Sequence, residues 1–385
     1  MAITINQTPP LINLAQSPIA YSVIDGAYAS SSFYYTCNLQ IWTGSLSASG
    51  SGAEYSLRKF PNTSGYGLFD VSRFVNSSLT NLAYQATSSV VYFKPTFNFS
   101  YVSSSTTVTG SNVSASYAVG LDGYSVFPEQ INSSPTSSIY WPLMTDGPQS
   151  QSIAIGDKGF YGVYVGQGSN VNVSYTGSYS NGSTTTATKT VSGSTSNTTS
   201  SIAWIPVGPT QQGFPLALTN SGYDLESYTI KSNGYSINNV IECAYKYTPV
   251  RVLWKNRYGQ FDWINFWYKN IQTFETEQRV YQPQLGSWNA SQLSYNSYQT
   301  ATQRYIVDAT QTITVNTEFL PQDYNEIFKQ LLVTDEVYWM YNQQDSLVKP
   351  LTIKSSNLTF KTGVNDKLIQ YTITFDIGQP FKLII

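Results

Sequence analysis

The chain has no histidine in 385 residues. This removes the commonest general base, the Ser-His and Cys-His nucleophile pairs, and the commonest metal ligand. Carboxylate-pair chemistry stays open, so the absence argues against an enzyme without forbidding one. Charge is scarce as well: 20 Lys and Arg against 22 Asp and Glu, 11% of the chain and a net −2, where about a quarter is usual. So few cations cannot neutralise a long run of phosphates, and no nucleic-acid partner is expected. The two cysteines, Cys37 and Cys243, are too few for a zinc site. Their spacing leaves a disulfide undecided; two small buried hydrophobes is the plainer reading. The opening Met1-Ala-Ile-Thr-Ile-Asn6 lacks the basic and apolar regions of an export signal, and no apolar run approaches a membrane span. No membrane partner is expected, and assembly in a cytoplasm fits.

Motifs for phosphate and metal are missing too. No Gly-Lys-Ser/Thr ends a glycine-rich loop, as a phosphate cradle requires. Asp122, Asp146 and Asp157 fall in loop-like stretches, but no Asp-x-Asp-x-Asp-Gly run makes them a calcium loop. Glu275 and Glu277, and the adjacent Asp335 and Glu336, are the visible carboxylate pairs. Glycoside hydrolysis needs two carboxyls facing each other across a sugar, which spacing does not show, and solvated surface charge is the simpler reading. No catalytic residue, cofactor or metal is expected.

What the chain does have is β-pattern and aromatic mass. Apolar residues make up 41%, and 31 Tyr, 18 Phe and 8 Trp bring the aromatics to 15%. The polar surface must come from Ser, Thr, Asn, Gln and Tyr. Short alternating runs between turn signals recur: Ile19–Ile24, Phe33–Trp42, Glu54–Phe60, Val90–Phe99 and Tyr117–Gly120. Phe69–Leu79 breaks that rhythm and reads as a short helix or a bent strand, with Asp70 or Ser72 as cap. The stretch 168–201 is rich in Ser and Thr; its Val and Thr alternate around a glycine turn, which favours a hairpin over a loop. Carboxylates, Lys and Arg become commoner near residue 240. The length implies two or three domains. The sequence is therefore read as mainly β: two or more β-sandwich or barrel-like domains with one short helix near 321–332. Residues 1–240 form an N-terminal β-rich region of one or two sandwiches, and 241–385 a C-terminal β-rich domain. In the latter, Val250–Trp254, Gln311–Asn316, Lys349–Lys354 and Leu368–Phe375 are strands, and Tyr324, Ile327, Phe328 and Leu331 share one helix face.

One segment gathers aromatics: Trp254, Tyr258, Phe261, Trp263, Phe266, Trp267 and Tyr268. Alternation puts Phe261, Trp263, Asn265 and Trp267 on one face, and Asp262, Ile264, Phe266 and Tyr268 on the other. Both faces are largely apolar. Such a strand is buried on both sides or faces a neighbouring subunit; exposed rings stacking on a sugar are the third reading.

The segment Glu242–Phe266, with its Tyr247-Thr-Pro249 and Trp254-Lys-Asn-Arg-Tyr-Gly259 ahead of an aromatic strand, resembles a motif of uncharacterised tail and virion structural proteins of marine and Bacteroidetes tailed phages. Ser17-Pro-Ile-Ala-Tyr21 and Gly67-Leu-Phe-Asp-Val-Ser72 are similar as well. The resemblance implies a phage structural protein, in the tail or its adaptor region, located in the virion. The expected partners are copies of itself and other virion proteins. A carbohydrate-binding or host-recognition module contacting host surface glycan, or a capsid decoration protein, is the alternative.

Overall fold

The computed structural model describes residues 3–26, 28, 32–46, 52–79, 90–125, 140–192, 200–289, 291–294, 296–342, 347–355 and 369–379. The chain forms two compact units. The first comprises Met1–Cys243, Trp254–Trp263 and Glu326–Thr334; the second comprises Ala244–Leu253, Ile264–Asn325 and Asp335–Ile385. The expected boundary after residue 240 lies beside the first crossing, at Cys243. The two later segments that return to the first unit have no counterpart in the sequence reading.

The first unit begins with β1 (Thr4–Gln7), β2 (Ile12–Leu14), β3 (Ala20–Ile24), β4 (Tyr34–Thr43), β5 (Ala53–Lys59) and β6 (Tyr66–Asp70). Helix α1 (Ser72–Ser78) follows, then β7 (Val91–Ser103), β8 (Thr106–Thr109), β9 (Val113–Ser114) and β10 (Ala118–Leu121). One sheet runs β1-β3-β6; the other runs β2-β10-β7-β4-β5, with β8 and β9 folded back on β7. The period-2 alternation of β4 drives Tyr35, Cys37, Leu39 and Ile41 inward. They meet Tyr21, Val23 and Phe69 from the other sheet in one apolar core. Each fully buried side chain of this kind contributes roughly 1.5–3 kcal/mol. Phe69–Leu79 is thus strand end plus helix: the Asp70 carboxylate accepts from the backbone N–H of Ser72 and of Ile19, both at 3.0 Å, pinning the turn into α1.

A second sandwich follows: β11 (Tyr140–Leu143), β12 (Ser150–Ala154), β13 (Phe160–Val165), β14 (Asn170–Tyr179), β15 (Thr184–Ser192) and β16 (Ser201–Pro206). It ends with β17 (Thr219–Asn220), β18 (Tyr223–Ser232) and β19 (Tyr235–Glu242). Its sheets run β11-β13-β16 and β12-β19-β18-β14-β15, with β17 beside β18. The Ser/Thr-rich stretch supplies the hairpin β14–β15, paired from Asn170↔Ser192 to Ser178↔Thr184; residues 193–199 of that stretch lie outside the described residues.

The two sandwiches share eight strands in the same order and pairing, while α1, β8 and β9 of the first and β17 of the second have no counterpart. In each, the opening strand joins a three-stranded antiparallel sheet, and the next strand runs parallel to the last one (β2 with β10, β12 with β19). This is the strand arrangement of an immunoglobulin-type sandwich whose first strand is split between both sheets. The registers agree in detail. Val71 N–H donates to Ile19 C=O in the first, and Val207 N–H to Gly159 C=O in the second. Tyr21 lies opposite Phe69, and Tyr161 opposite Ile205. Where Asp70 holds two backbone N–H groups, the Gln211 carboxamide holds those of Gly159 and Gly208, at 3.1 and 3.2 Å. Trp42, Tyr92, Val119 and Leu121 of the first sandwich pack with Met144 and Tyr164 of the second in a shared apolar cluster.

The second unit is organised by a seven-stranded sheet of order β21-β20-β26-β27-β28-β25-β22. Its strands are β20 (Val250–Lys255), β21 (Phe261–Phe266), β22 (Ile271–Tyr281), β25 (Gln303–Asn316), β26 (Val337–Asn342), β27 (Leu347–Ile353) and β28 (Thr372–Ile377). A small hairpin of β23 (Ser287–Asn289) and β24 (Gln292–Ser294) lies between β22 and β25. After a single 3-10 turn, Gln322–Tyr324, in which Tyr324 is buried, the chain returns to the first unit as helix α2 (Asn325–Val333), where Ile327, Phe328 and Leu331 are buried and the helical stripe is core. The strand expected over Leu368–Phe375 begins at Thr372; Leu368 lies outside the described residues.

Gly123 adopts φ +121°, and a Cβ there would sit 2.2 Å from the Arg257 carbonyl oxygen. We expect Gly123→Ala to lower stability by roughly 2 kcal/mol or more, from positive-φ strain together with the clash. Urea denaturation measures it, and an unchanged midpoint would contradict this packing.

Candidate functional site

Polar chemistry in the first unit concentrates where the tip of the β20–β21 pair, Trp254–Trp263, meets the two sandwiches. Asn256 shapes the tip: its carboxamide oxygen accepts from the backbone N–H of Tyr258 and Gln260, at 2.9 and 3.0 Å. Gly259 supplies the turn at φ +69°. On one side, Lys255 Nζ lies 2.8 Å from the Asp122 carboxylate, which also accepts from Gln16 Nε2 at 2.9 Å. On the other, the Arg257 guanidinium forms a two-point pair with Asp146. Asp146 accepts further from Gln330 Nε2 at 2.7 Å and from the Tyr258 hydroxyl at 3.0 Å. Burial pulls the Arg257 pKa down, but Asp146 and Tyr258 together hold it above its ordinary value. Asn256 Nδ2 donates to the Met144 carbonyl at 2.9 Å, and Trp204 Nε1 to Gln260 at 3.1 Å.

Asp122, Asp146 and Asp157, the aspartates of the loop-like stretches, each have a partner within the chain. Asp122 and Asp146 each face a cation of the chain itself, and the Asp157 carboxylate accepts the Ala154 N–H at 2.9 Å. Among the described residues, no three of His, Cys, Asp or Glu gather as a metal site would. The arrangement is a clasp. It holds backbone and side chains in place. Cys37 is buried, and burial pushes its thiol up to about 12; Cys243 is exposed, and both are free thiols.

The aromatic segment divides by depth. Trp254, Trp263, Phe266 and Trp267 are buried, Tyr258 and Phe261 are half-buried, and Tyr268 is exposed. Trp263 stacks on Tyr161 with ring centroids 6.5 Å apart, and Trp267 lies against Tyr245 at 5.7 Å. Neither indole face is open to a sugar. Burial on both faces of β21 follows from its two apolar faces.

A long exposed strand lies in the second unit. All eleven residues of β22 are exposed. β25 pairs with β28 only over Thr312–Asn316, yet its pairing with β22 runs on to Tyr281↔Gln303. The two strands therefore continue past the sheet as a ribbon, and β22 is the sheet's outer strand. Ile271, Phe274, Val280, Tyr281, Tyr298 and Tyr305 are exposed apolar side chains in this stretch, Tyr298 at 78%. Glu275, Glu277 and Asp308 share one face, and Glu277 lies directly opposite Asp308. The carboxylate pair noted in the sequence thus sits on an open strand and not across a cleft. Only Gln311–Asn316 was legible as a strand. The rest shows period-2 spacing of Thr, Val, Ile and Tyr, but charge and apolar groups occupy both faces and blur the signal.

No known protein family matches the chain, and no curated protein matches it. Among solved structures, it is similar to the calcium binding domain CBD12 of CALX1.1, at 12% identity and a TM-score of 0.17, over 60% of this chain and 79% of that one. It is also similar to squid arrestin, at 8% identity and a TM-score of 0.17, over 64% and 95%.

The clasp generates a pH prediction. Asp262 is buried, which raises its carboxyl to about 7 despite hydrogen bonds to Thr145 and Asn256 that pull it down; nearby Asp146 adds to the rise. The folded chain then keeps a proton that the unfolded chain has released. Its contribution to stability falls as pH rises from about 4 to about 7 and is level above that. Asp262→Asn should remove this decline. Melting temperatures of both proteins across that range test it, and parallel profiles would refute the assignment.

Proposed function

We propose that this chain is a non-enzymatic structural building block of a phage particle, a tail or tail-adaptor subunit that assembles with copies of itself and with other particle proteins. The observation that carries the reading is the β22–β25 ribbon. A two-stranded ribbon is marginal alone in water, and one bearing exposed Phe, Tyr, Ile and Val is suited to bury them against a partner. The surrounding chemistry fits. The conspicuous charged groups of the first unit, Lys255, Arg257, Asp122 and Asp146, are spent on each other. A surface poor in charge but rich in hydroxyl and amide groups can form wide contacts with few ions to desolvate. Rigid immunoglobulin-type sandwiches in tandem serve as spacers. The resemblance of Glu242–Phe266 to phage virion proteins supplies the particle.

Particle symmetry separates the stations: sixfold or twelvefold arrangement favours tail or neck, and threefold favours capsid decoration. Mass spectrometry and electron microscopy of purified particles should find the chain in many copies at one symmetric position. A chain that stays monomeric and is missing from particles would overturn the proposal.

A further inference from the structure

We propose that β22 pairs antiparallel with β22 of a second copy, across a two-fold axis at Gln278, joining the two ribbons into a four-stranded sheet. The inference takes from the proposed function only that the chain self-associates.

β22 is eleven residues long, exposed throughout, and outermost in its sheet. Its outward backbone N–H and C=O groups are a template for another strand. A second β22 would give the ribbon β25-β22-β22-β25, past the three strands that independent stability requires.

Charge selects the register. A two-fold axis through an antiparallel pair keeps each sheet face on its own side, so opposed residues must share parity. An axis at Thr276 sets Glu275 against Glu277 twice. An axis at Glu277 sets Glu275 opposite Arg279 twice but puts the central carboxylate against its own copy, and one at Arg279 puts two guanidinium groups against each other. Like charges directly opposite destabilise a sheet. Only an axis at Gln278 sets Glu277 opposite Arg279, and it does so twice, as the self-complementarity of a two-fold contact requires. Gln278 then faces its own copy, Thr276 faces Val280, and Glu275 faces Tyr281.

The same register accounts for an unfavourable feature of the single chain. Glu277 lies opposite Asp308 on the ribbon. Among the described residues, neither carboxylate has an ion-pair partner, and neither does Arg279. In the proposed sheet, each Glu277 gains the second copy's Arg279 on its other flank. The charges thus keep the edge from pairing indiscriminately while admitting one partner in one alignment.

Sedimentation of the full chain over micromolar concentrations should show a monomer–dimer equilibrium. Glu277→Arg and Arg279→Glu should each weaken the dimer about tenfold or more, since each places like charges at two positions. The double exchange should restore it, which a folding defect would not allow. In a Cys243→Ser background, Gln278→Cys should oxidise to a covalent dimer, because directly opposed strand residues approach within disulfide reach. A monomer at every concentration would overturn the inference. So would a dimer indifferent to both charge reversals, or one in which Cys at 278 does not cross-link. A dimer that passes these tests yet is absent from particles would remove the particle assignment and leave the pairing intact. A particle component that fails them would do the reverse.

Discussion

A β-sheet that does not close on itself ends in two strands, each with half its backbone hydrogen-bonding groups turned outward. In the first unit this constraint is handled by topology. The opening strand is divided so that β1 covers one sheet and β2 or its equivalent covers the last strand of the other, and the scheme is used twice. The remaining edges are β6 and β16, which end the short sheets, together with β5, which carries Glu54, Arg58 and Lys59, and β15, which carries Lys189 on a row of threonines. In the second unit the same constraint is left open. Among the described residues, β22 and the overhanging part of β25 form a long edge with no third strand. That contrast between covered and uncovered edges organises the functional reading.

Satisfaction of polar groups explains the clasp in the same terms. A chain with few charges has placed several of them around one turn, where Lys255 meets Asp122 and Arg257 meets Asp146. Pairs at this depth gain little net stability, because desolvation offsets attraction; their value is that breaking one leaves a costly lone charge. They fix the Trp254–Trp263 tip in a single position against Met144, Trp204 and Gly123.

The strands that build the cores were legible because one face is apolar and the other is not. β4 and β14 alternate in that way along their length. The duplication was not legible, because the same role falls to different residues at non-equivalent positions. Asp70 and Gln211 hold matching backbone N–H groups, and only scattered positions such as Tyr21 with Tyr161 and Val23 with Val163 keep their identity. The clasp joins residues more than a hundred positions apart, such as Arg257 and Asp146, which local patterning does not reach. The aromatic segment was legible as apolar on two faces, but its division into buried Trp263 and Trp267 and exposed Tyr268 required the fold. The ribbon left no pattern in the sequence for a physical reason: β22 is exposed along its whole length, so no buried face sets an apolar alternation.

The central claim is that β22 is an unfinished edge, completed by another copy of the chain. Amide hydrogen exchange of Ile271–Tyr281, followed across protein concentration, tests this most directly. Protection that rises with concentration in this strand, while β4 and β14 stay equally protected throughout, is the predicted result. Exchange in β22 that is equally fast at every concentration would contradict it.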